Sequence, residues 1–184
     1  MAKIARVCLI GPESTGKSAL AERLAEHFCA PWIREFAREY AEGQGSRLTY
    51  EDVEPIARGE LKRLEIGDWR LVPPTNLQSP ISNLLILDTD LISTVVYSRH
   101  YYGNCPGWIA DEARTRRADL YLLLDTDVPW VADAARDAGG DAREDLFDAF
   151  RRALDDFETR WVIISGSWDE RFHAAAAEIA KLIA

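Results

Sequence analysis

Residues 11–18, with the sequence GPESTGKS, constrain this chain more than any other stretch. They match the phosphate-binding loop pattern G-x-x-x-x-G-K-[ST] at every specified position. The apolar run at residues 4–10 predicts a buried parallel strand before the loop, and Leu20, Leu24 and Phe28 recur at helical spacing after it. A strand, a loop and a helix in this order turn backbone N–H groups toward one anion. The sequence therefore predicts a nucleoside triphosphate site.

The types of residue in the loop suggest their roles. Gly11 and Gly16 permit a tight backbone path, Lys17 is expected to reach the β- and γ-phosphates, and the Ser18 hydroxyl group is expected to hold Mg²⁺. The loop residues that we expect to bind the nucleotide are Gly11, Glu13, Ser14, Thr15, Gly16, Lys17 and Ser18. ATP and Mg²⁺ are the expected cofactors, and the sequence leaves the choice between ATP and GTP open.

Composition and charge limit the class of protein. The chain has 184 residues, of which 47% are hydrophobic and 29% are charged, and this predicts one globular domain over residues 1–184. We find no apolar run of the ~20 residues that span a bilayer, and the N-terminus predicts no signal peptide. Three scattered cysteines and these absences predict a cytoplasmic protein. The net charge of −9 argues against a nucleic-acid partner, and a membrane partner is not expected. The expected partner is a small-molecule substrate, and homo-oligomerisation is left open.

Strand-like and helix-like segments alternate along the whole chain. Besides the first strand, residues 31–34, 84–87, 120–124 and 161–165 have the pattern of buried strands. This predicts an α/β three-layer P-loop kinase fold with a five-stranded parallel sheet and a small helical lid. The proline-containing stretch at residues 67–83 is interpreted as either a flap over the substrate or a surface insertion.

Acidic residues follow the predicted strand at residues 84–87. Four apolar residues and then Asp88 form a pattern typical of a carboxylate that reaches Mg²⁺ through water. We assign Asp88 to the metal and Asp90 to the substrate, and the two roles are interchangeable at this stage. A second Asp-Thr-Asp at residues 125–127 is interpreted as a turn and a helix cap.

Two arginines flank a pair of glycines later in the chain. Arg136 and Arg143 lie on either side of Gly139 and Gly140, which predicts a small closing lid at about residues 133–146 whose arginines meet the transferred phosphoryl group. Surface salt bridges are the alternative explanation of these arginines. Trp168 lies in the loop after the last predicted strand and is expected to touch adenine.

Together these segments resemble the ribosylnicotinamide kinase domain of NadR-type proteins. The matching segments are residues 11–18, 34–40, 88–94, 102–106, 119–123, 128–133 and 136–137. The phosphate loop is shared by many families, whereas the combination of Arg-Glu-x-x-Arg-Glu-Tyr, Asp-Thr-Asp and Pro-Trp-Val is more specific. The resemblance implies ATP-dependent phosphorylation of the 5′-hydroxyl group of nicotinamide riboside to nicotinamide mononucleotide, a step of NAD salvage. It implies neither the repressor nor the adenylyltransferase activity of full-length relatives.

Nicotinamide riboside carries a fixed positive charge on its pyridinium ring, so its site should offer carboxylates and aromatic faces. The candidates are Glu35, Glu39, Asp90, Tyr97 and Tyr101. Arg38 is a cation on this side, which would bind ribose hydroxyl groups or pair with Glu35. The catalytic base is left open between Asp88, Asp90 and Glu35. Two other readings stay open, namely a kinase of another nucleoside or small metabolite and a regulatory ATP-binding module.

Overall fold

A computed structural model describes residues 4–45, 48–66, 83–129 and 141–184. The strands in these ranges are β1 (Ala5–Ile10), β2 (Trp32–Ile33), β3 (Leu84–Asp88), β4 (Leu120–Leu124) and β5 (Trp161–Ile164). The helices are α1 (Lys17–Phe28), α2 (Phe36–Gln44), α3 (Val53–Ile66), α4 (Leu91–Tyr102), α5 (Gly107–Thr115), α6 (Asp141–Asp156) and α7 (Trp168–Ile183). A 3₁₀ turn at Tyr50–Asp52 precedes α3.

The five strands form one parallel sheet in the order β2-β3-β1-β4-β5. The central strand β1 pairs with β3 and β4, so that Leu9 lies opposite both Asp88 and Leu122. Because every pair is parallel, the carboxyl ends of all five strands open at the same edge of the sheet. The phosphate loop follows β1 at this edge, where ligands of open α/β sheets bind.

The sheet is covered on both faces, as the predicted three-layer fold requires. Val7 and Leu9 of β1 contribute to a core with α1 and α7, whereas Cys8 and Ile10 contribute to the core on the opposite face with α4, α5 and α6. This alternation follows from the two-residue period of a strand, and both sets are apolar because neither face meets water. The predicted α/β fold with a five-stranded parallel sheet is confirmed.

Local sequence signals account for several element boundaries. The predicted strand at residues 120–124 is observed over the same residues, and Thr49 and Asp52 form a capping box before α3. Residues 67–82 of the flap or insertion predicted at residues 67–83, and residues 133–140 of the predicted lid, lie outside the described residues.

Two further features bear on the class of protein. None of the helices in the described ranges is both long enough and apolar enough to cross a membrane. All three cysteines are free thiols, and Cys8 is fully buried in β1. Burial, and then the nearby acids Asp90 and Asp88, raise the pKa of the Cys8 thiol well above its usual value. Cys8 is therefore an uncharged core residue.

Candidate active site

The phosphate loop needs glycine at two positions. Gly11 has a φ of 140°, and a Cβ there would lie 2.9 Å from the carbonyl oxygen of Leu124 in β4. Gly16 has a φ of 85°, and a Cβ there would lie 2.2 Å from a ring carbon of Trp168. Residues other than glycine rarely adopt such φ values, and a Cβ atom at either position would be too close to its neighbours. The close approach of the loop to β4 and α7 therefore depends on both glycines.

The buried side chain of Lys17 lies against the phosphate loop at the N-terminus of α1. Lys17 begins α1 and is buried, and its Nζ donates hydrogen bonds to the carbonyl oxygens of Gly11 at 2.9 Å and Pro12 at 2.7 Å. The hydroxyl group of Thr15 also donates to Pro12 O, at 2.9 Å. The ammonium group and the N-terminus of α1 thus lie at the same loop, and both favour a bound anion.

A fully buried arginine that the sequence analysis did not single out supports this loop. The Arg171 guanidinium group donates to the carbonyl oxygens of Thr15 at 3.2 Å, Asp125 at 3.0 Å and Gly166 at 2.9 Å, and it pairs with the carboxylate of Asp127. Arg171 therefore joins the phosphate loop to the ends of β4 and β5. Asp127, interpreted from the sequence as part of a turn and cap, also accepts a hydrogen bond from Gly166 N at 2.6 Å, so it closes this network.

Arg143 and Trp168 both contact the phosphate loop. Arg143 lies on α6 and is only 6% exposed, and it donates to Ser14 O at 3.2 Å and to Val128 O at 2.9 Å. Burial, and then the positive charge of Arg171, lower the pKa of Arg143. The Trp168 ring is half-exposed and covers Gly16. Arg136, the other arginine of the predicted lid, lies outside the described residues.

Ser18 and Asp88 lie together at the ends of neighbouring elements. The Ser18 hydroxyl group hydrogen-bonds to Asp88, which is 2% exposed and whose Oδ1 has no partner in the described part of the chain. Burial and then the charge of Glu35 raise the pKa of Asp88 to about 6. A hydroxyl oxygen and a carboxylate oxygen are the hard donors that Mg²⁺ prefers, so this pair fits a metal that phosphates also hold. The described residues contain no cluster of three acidic, histidine or cysteine side chains that would bind a metal alone.

Asp90 has a different environment from Asp88. It is the N-cap of α4, where its Oδ1 accepts from Ile92 N at 3.0 Å and its Oδ2 accepts from the Tyr121 hydroxyl group at 2.6 Å. Burial is the main cause that raises its pKa. Both oxygens of Asp90 therefore have structural partners, and its side chain is not part of the large cavity described next. The geometry favours a cap over contact with a substrate.

A cavity of about 310 Å³ opens beside the phosphate loop, between α3 and α4. Three carboxyl groups line it, from Glu13 of the loop, Glu35 after β2 and Glu60 of α3, and Tyr97, Tyr101 and Tyr102 add three aromatic rings. Among its described lining residues there is no lysine, arginine or histidine. The described lining of the cavity therefore carries acidic groups and aromatic faces and contributes no cationic side chain of its own.

Tyr97 and Tyr101 connect this cavity with the phosphate loop. They lie one turn apart on α4, so they project from one face of the helix. The Tyr97 hydroxyl group donates to Gly11 O at 3.2 Å, and the Tyr101 hydroxyl group donates to Glu13 Oε1 at 2.8 Å. Their rings are parallel within 4°, with centroids 6.1 Å apart. The α4 face that lines the cavity is thus bonded directly to the loop.

Of the two acidic residues that follow β2, Glu35 lines the cavity and Glu39 does not. Glu35 is 5% exposed and lines the cavity, and its Oε2 lies 3.7 Å from Nε of the half-exposed Arg38. Glu39 instead pairs with Arg63 of α3, at 2.5 Å, and does not line the cavity. Of the predicted substrate residues, the structure therefore brings together Glu35, Tyr97 and Tyr101, with Arg38 beside them, and it places Glu39 outside.

Comparison with known proteins shows the family to which the chain belongs. The model of the AAA_28 family, described as an AAA domain, matches residues 6–171. The chain belongs to this AAA-domain family. Two relatives are the trifunctional NAD biosynthesis/regulator proteins NadR of Salmonella typhimurium, 29% identical over 145 residues, and of Escherichia coli, 27% identical over 172 residues. The matches cover 77% and 90% of this chain but only 33% and 40% of those relatives.

Solved structures of NadR are similar over nearly the whole chain. A NadR crystal structure in complex with NR has a TM-score of 0.72 and 25% identity, and it covers 97% of this chain and 51% of that one. A NadR complex with NAD and AMP-PNP has a TM-score of 0.71 and 25% identity, with coverage of 97% and 49%. The resemblance to NadR-type kinase domains that the sequence indicated is therefore confirmed.

Two buried charged residues of this AAA-domain chain escaped the sequence analysis, namely Arg171 and Glu60. Glu60 is 9% exposed and accepts a hydrogen bond from the Thr94 hydroxyl group at 2.9 Å. Burial is the first cause that raises its pKa, to about 8. One sequence signal could have identified both, namely a charged residue at a helical position whose neighbours on the same face are apolar. Glu60 follows Val53, Ile56 and Ala57 at helical spacing, and Arg171 precedes Ala175 and Ile179.

Proposed function

We propose that this chain is an ATP-dependent kinase that phosphorylates the 5′-hydroxyl group of nicotinamide riboside and yields nicotinamide mononucleotide. The observation that carries the proposal is the cavity beside the phosphate loop, whose described wall has three carboxyl groups and three tyrosine rings but no cationic side chain. The similarity to NadR, solved in complex with NR, supports the same substrate. The reaction would serve NAD salvage in the cytoplasm.

The charge of the substrate explains why such a wall is suitable. Nicotinamide riboside has a pyridinium ring with a fixed positive charge and carries no phosphate. A cavity for a phosphorylated or acidic acceptor would need arginine or lysine side chains, since a buried anion without a partner is unfavourable. The carboxylates of Glu13 and Glu35 and the faces of the tyrosine rings instead attract a cation. The charge of the cavity wall is thus opposite in sign to the charge of the proposed acceptor.

In the proposed mechanism the donor nucleotide lies on the phosphate loop. The loop N–H groups and Lys17 bind the phosphates, and Ser18 and Asp88 would hold Mg²⁺. The metal would neutralise phosphate charge that grows during transfer. Arg143, which already contacts Ser14 O in the loop, would stabilise the same charge, and we retain Arg136 as a second arginine of this kind. Trp168 covers Gly16 and would pack near the base of the nucleotide.

On the acceptor side we assign the catalytic base to Glu35. It is buried, lines the cavity and follows β2 at the edge of the sheet where the phosphate loop lies. Its carboxylate would accept the proton of the 5′-hydroxyl group and orient the oxygen toward the γ-phosphate. Asp90 is a weaker candidate because Ile92 N and the Tyr121 hydroxyl group occupy its two oxygens. Arg38, beside Glu35, would contact ribose hydroxyl groups.

An ADP-release assay across acceptors tests the proposal. The panel comprises nicotinamide riboside, adenosine, deoxyadenosine, uridine, thymidine monophosphate and no acceptor, each with ATP and Mg²⁺. We expect nicotinamide riboside to give the highest kcat/KM, and Lys17→Ala to abolish ADP release. Preference for another nucleoside would support the kinase class and overturn the substrate. ATP hydrolysis that no acceptor changes would favour a regulatory ATP-binding module.

A further inference from the structure

One carboxylate oxygen in the cavity has no hydrogen-bond partner among the described residues. Glu13 is 3% exposed, and while its Oε1 accepts from the Tyr101 hydroxyl group at 2.8 Å, its Oε2 is buried without a partner. The hydroxyl group of Ser93, also in the cavity wall, is likewise buried and unpartnered within the described ranges. Native proteins satisfy nearly all buried polar atoms, so these two atoms indicate a ligand.

The position of Glu13 in the loop makes its direction informative. A phosphate loop binds phosphates mainly through backbone N–H groups and its lysine, and a carboxylate directed at those phosphates would repel them. The Glu13 side chain instead lines the acceptor cavity, where Tyr101 orients it and Tyr97 lies parallel to Tyr101. The loop thus presents its backbone to the donor and one negative side chain to the acceptor.

We infer that Glu13 determines specificity for the acceptor, because its carboxylate, oriented by Tyr101, pairs with the fixed positive charge of a ring that lies along Tyr97 and Tyr101. This inference rests on the proposed function, in which the pyridinium ring of nicotinamide riboside supplies that charge. It predicts that the chain selects the oxidised, cationic riboside over the uncharged 1,4-dihydro form, which has nearly the same size. Shape alone would not separate the two.

The test compares these two acceptors in matched variants. Glu13→Gln keeps the shape and the acceptor for the Tyr101 hydroxyl group but removes the charge. Glu22→Gln removes one charge from an exposed position of α1 and is the control. We measure kcat/KM for nicotinamide riboside and its dihydro form at saturating ATP. In Glu13→Gln the kcat/KM for nicotinamide riboside divided by that for the dihydro form is expected to fall about tenfold or more. In Glu22→Gln this ratio stays at the wild-type value.

The remaining outcomes separate the possible failures. Equal losses for both acceptors in Glu13→Gln would assign Glu13 to the ribose or to structure, and a change confined to the KM for ATP would assign it to the donor; either result overturns the inference. If Glu13→Gln does not fold by circular dichroism, Tyr101→Phe decides, with a lowered ratio in support and an unchanged ratio against. Wild-type protein that phosphorylates neither riboside would instead refute the proposed function.

Discussion

Two buried carboxyl groups, those of Glu35 and Asp90, lie after neighbouring strands and have different surroundings. Glu35 lines the acceptor cavity, whereas Asp90 caps α4 and accepts from Tyr121. Replacing each with its amide removes the charge and preserves the shape. We expect Glu35→Gln to lower kcat about 10²-fold or more, as the loss of a general base does, with an unchanged KM for ATP. Asp90→Asn should lower kcat less than about tenfold, because the amide oxygen still caps α4.

Steady-state rates with nicotinamide riboside measure both variants under the same conditions. A greater loss of kcat in Asp90→Asn than in Glu35→Gln would assign the base to Asp90. The comparison needs both variants folded, which the midpoint of thermal unfolding checks. Sequence alone left these roles open, because two acids after adjacent strands are alike until the partners of each oxygen are known.

Glu60 gives a residue-scale prediction about stability and pH. Burial first, and then the charges of Asp90 and Glu35, raise its pKa from 4.5 to about 8, against the hydrogen bond from Thr94 and the charge of Arg63. Between these two pH values the folded chain holds a proton that the unfolded chain has lost. The contribution of Glu60 to folding is therefore fully present below about pH 4.5 and is lost as the pH rises toward 8, by up to about 1.4 kcal/mol per pH unit.

Urea unfolding of wild-type protein and Glu60→Gln between pH 5 and about 8 measures this effect. The free energy of unfolding of the variant minus that of wild type is expected to increase as the pH rises, since the amide has no proton to lose. A constant difference over this range would show that Glu60 titrates at its ordinary pKa. Asp88 also has a raised pKa, but it is common to both proteins and is not among the charges that raise the pKa of Glu60, so it cancels in the difference.

At the scale of elements, α7 holds the phosphate loop through Arg171. Its guanidinium group reaches the carbonyl oxygens of Thr15, Asp125 and Gly166 and the carboxylate of Asp127. Lysine keeps the charge but cannot make these contacts at once, because they require the planar fork of arginine. We therefore expect Arg171→Lys to raise the KM for ATP about tenfold or more and to lower the midpoint of thermal unfolding.

Arg23→Lys is the matched control for this prediction. Arg23 also joins α1 to α7, through an exposed ion pair with Asp169 at 2.9 Å, and exposed pairs contribute little to stability. The KM for ATP and the midpoint of thermal unfolding of the Arg23→Lys variant should stay near the wild-type values. An unchanged KM for ATP in Arg171→Lys would show that the loop holds its conformation without this arginine.

The elements also show what sequence could predict. The phosphate loop and β4 depend on local patterns, namely a fixed motif and a five-residue apolar run, and both were predicted residue by residue. Arg171 and Glu60 acquire their roles from remote partners, since Thr15 lies 156 residues from Arg171 and Thr94 lies 34 residues from Glu60. Glu39 shows the opposite case, because it was a candidate as a carboxylate that would attract a cationic substrate, whereas in the structure it pairs with Arg63 and does not line the cavity.

At the scale of the whole molecule, one edge of the sheet collects the proposed chemistry. The phosphate loop follows β1, Glu35 follows β2, Asp88 ends β3, and the network of Arg171 closes the edge at β4 and β5. Because the strands are parallel, all of these groups lie at their carboxyl ends. The acceptor cavity lies at this edge, so the donor and the acceptor would meet without a large movement of the sheet.

The central claim is that this edge transfers the γ-phosphate of ATP to the 5′-oxygen of nicotinamide riboside. Phosphorus NMR of the protein with ATP, Mg²⁺ and nicotinamide riboside measures this directly. We predict a 5′-monophosphate signal of nicotinamide mononucleotide that grows in equal amount with ADP and is absent in Lys17→Ala. ADP that accumulates with inorganic phosphate while the riboside stays unmodified would contradict the account.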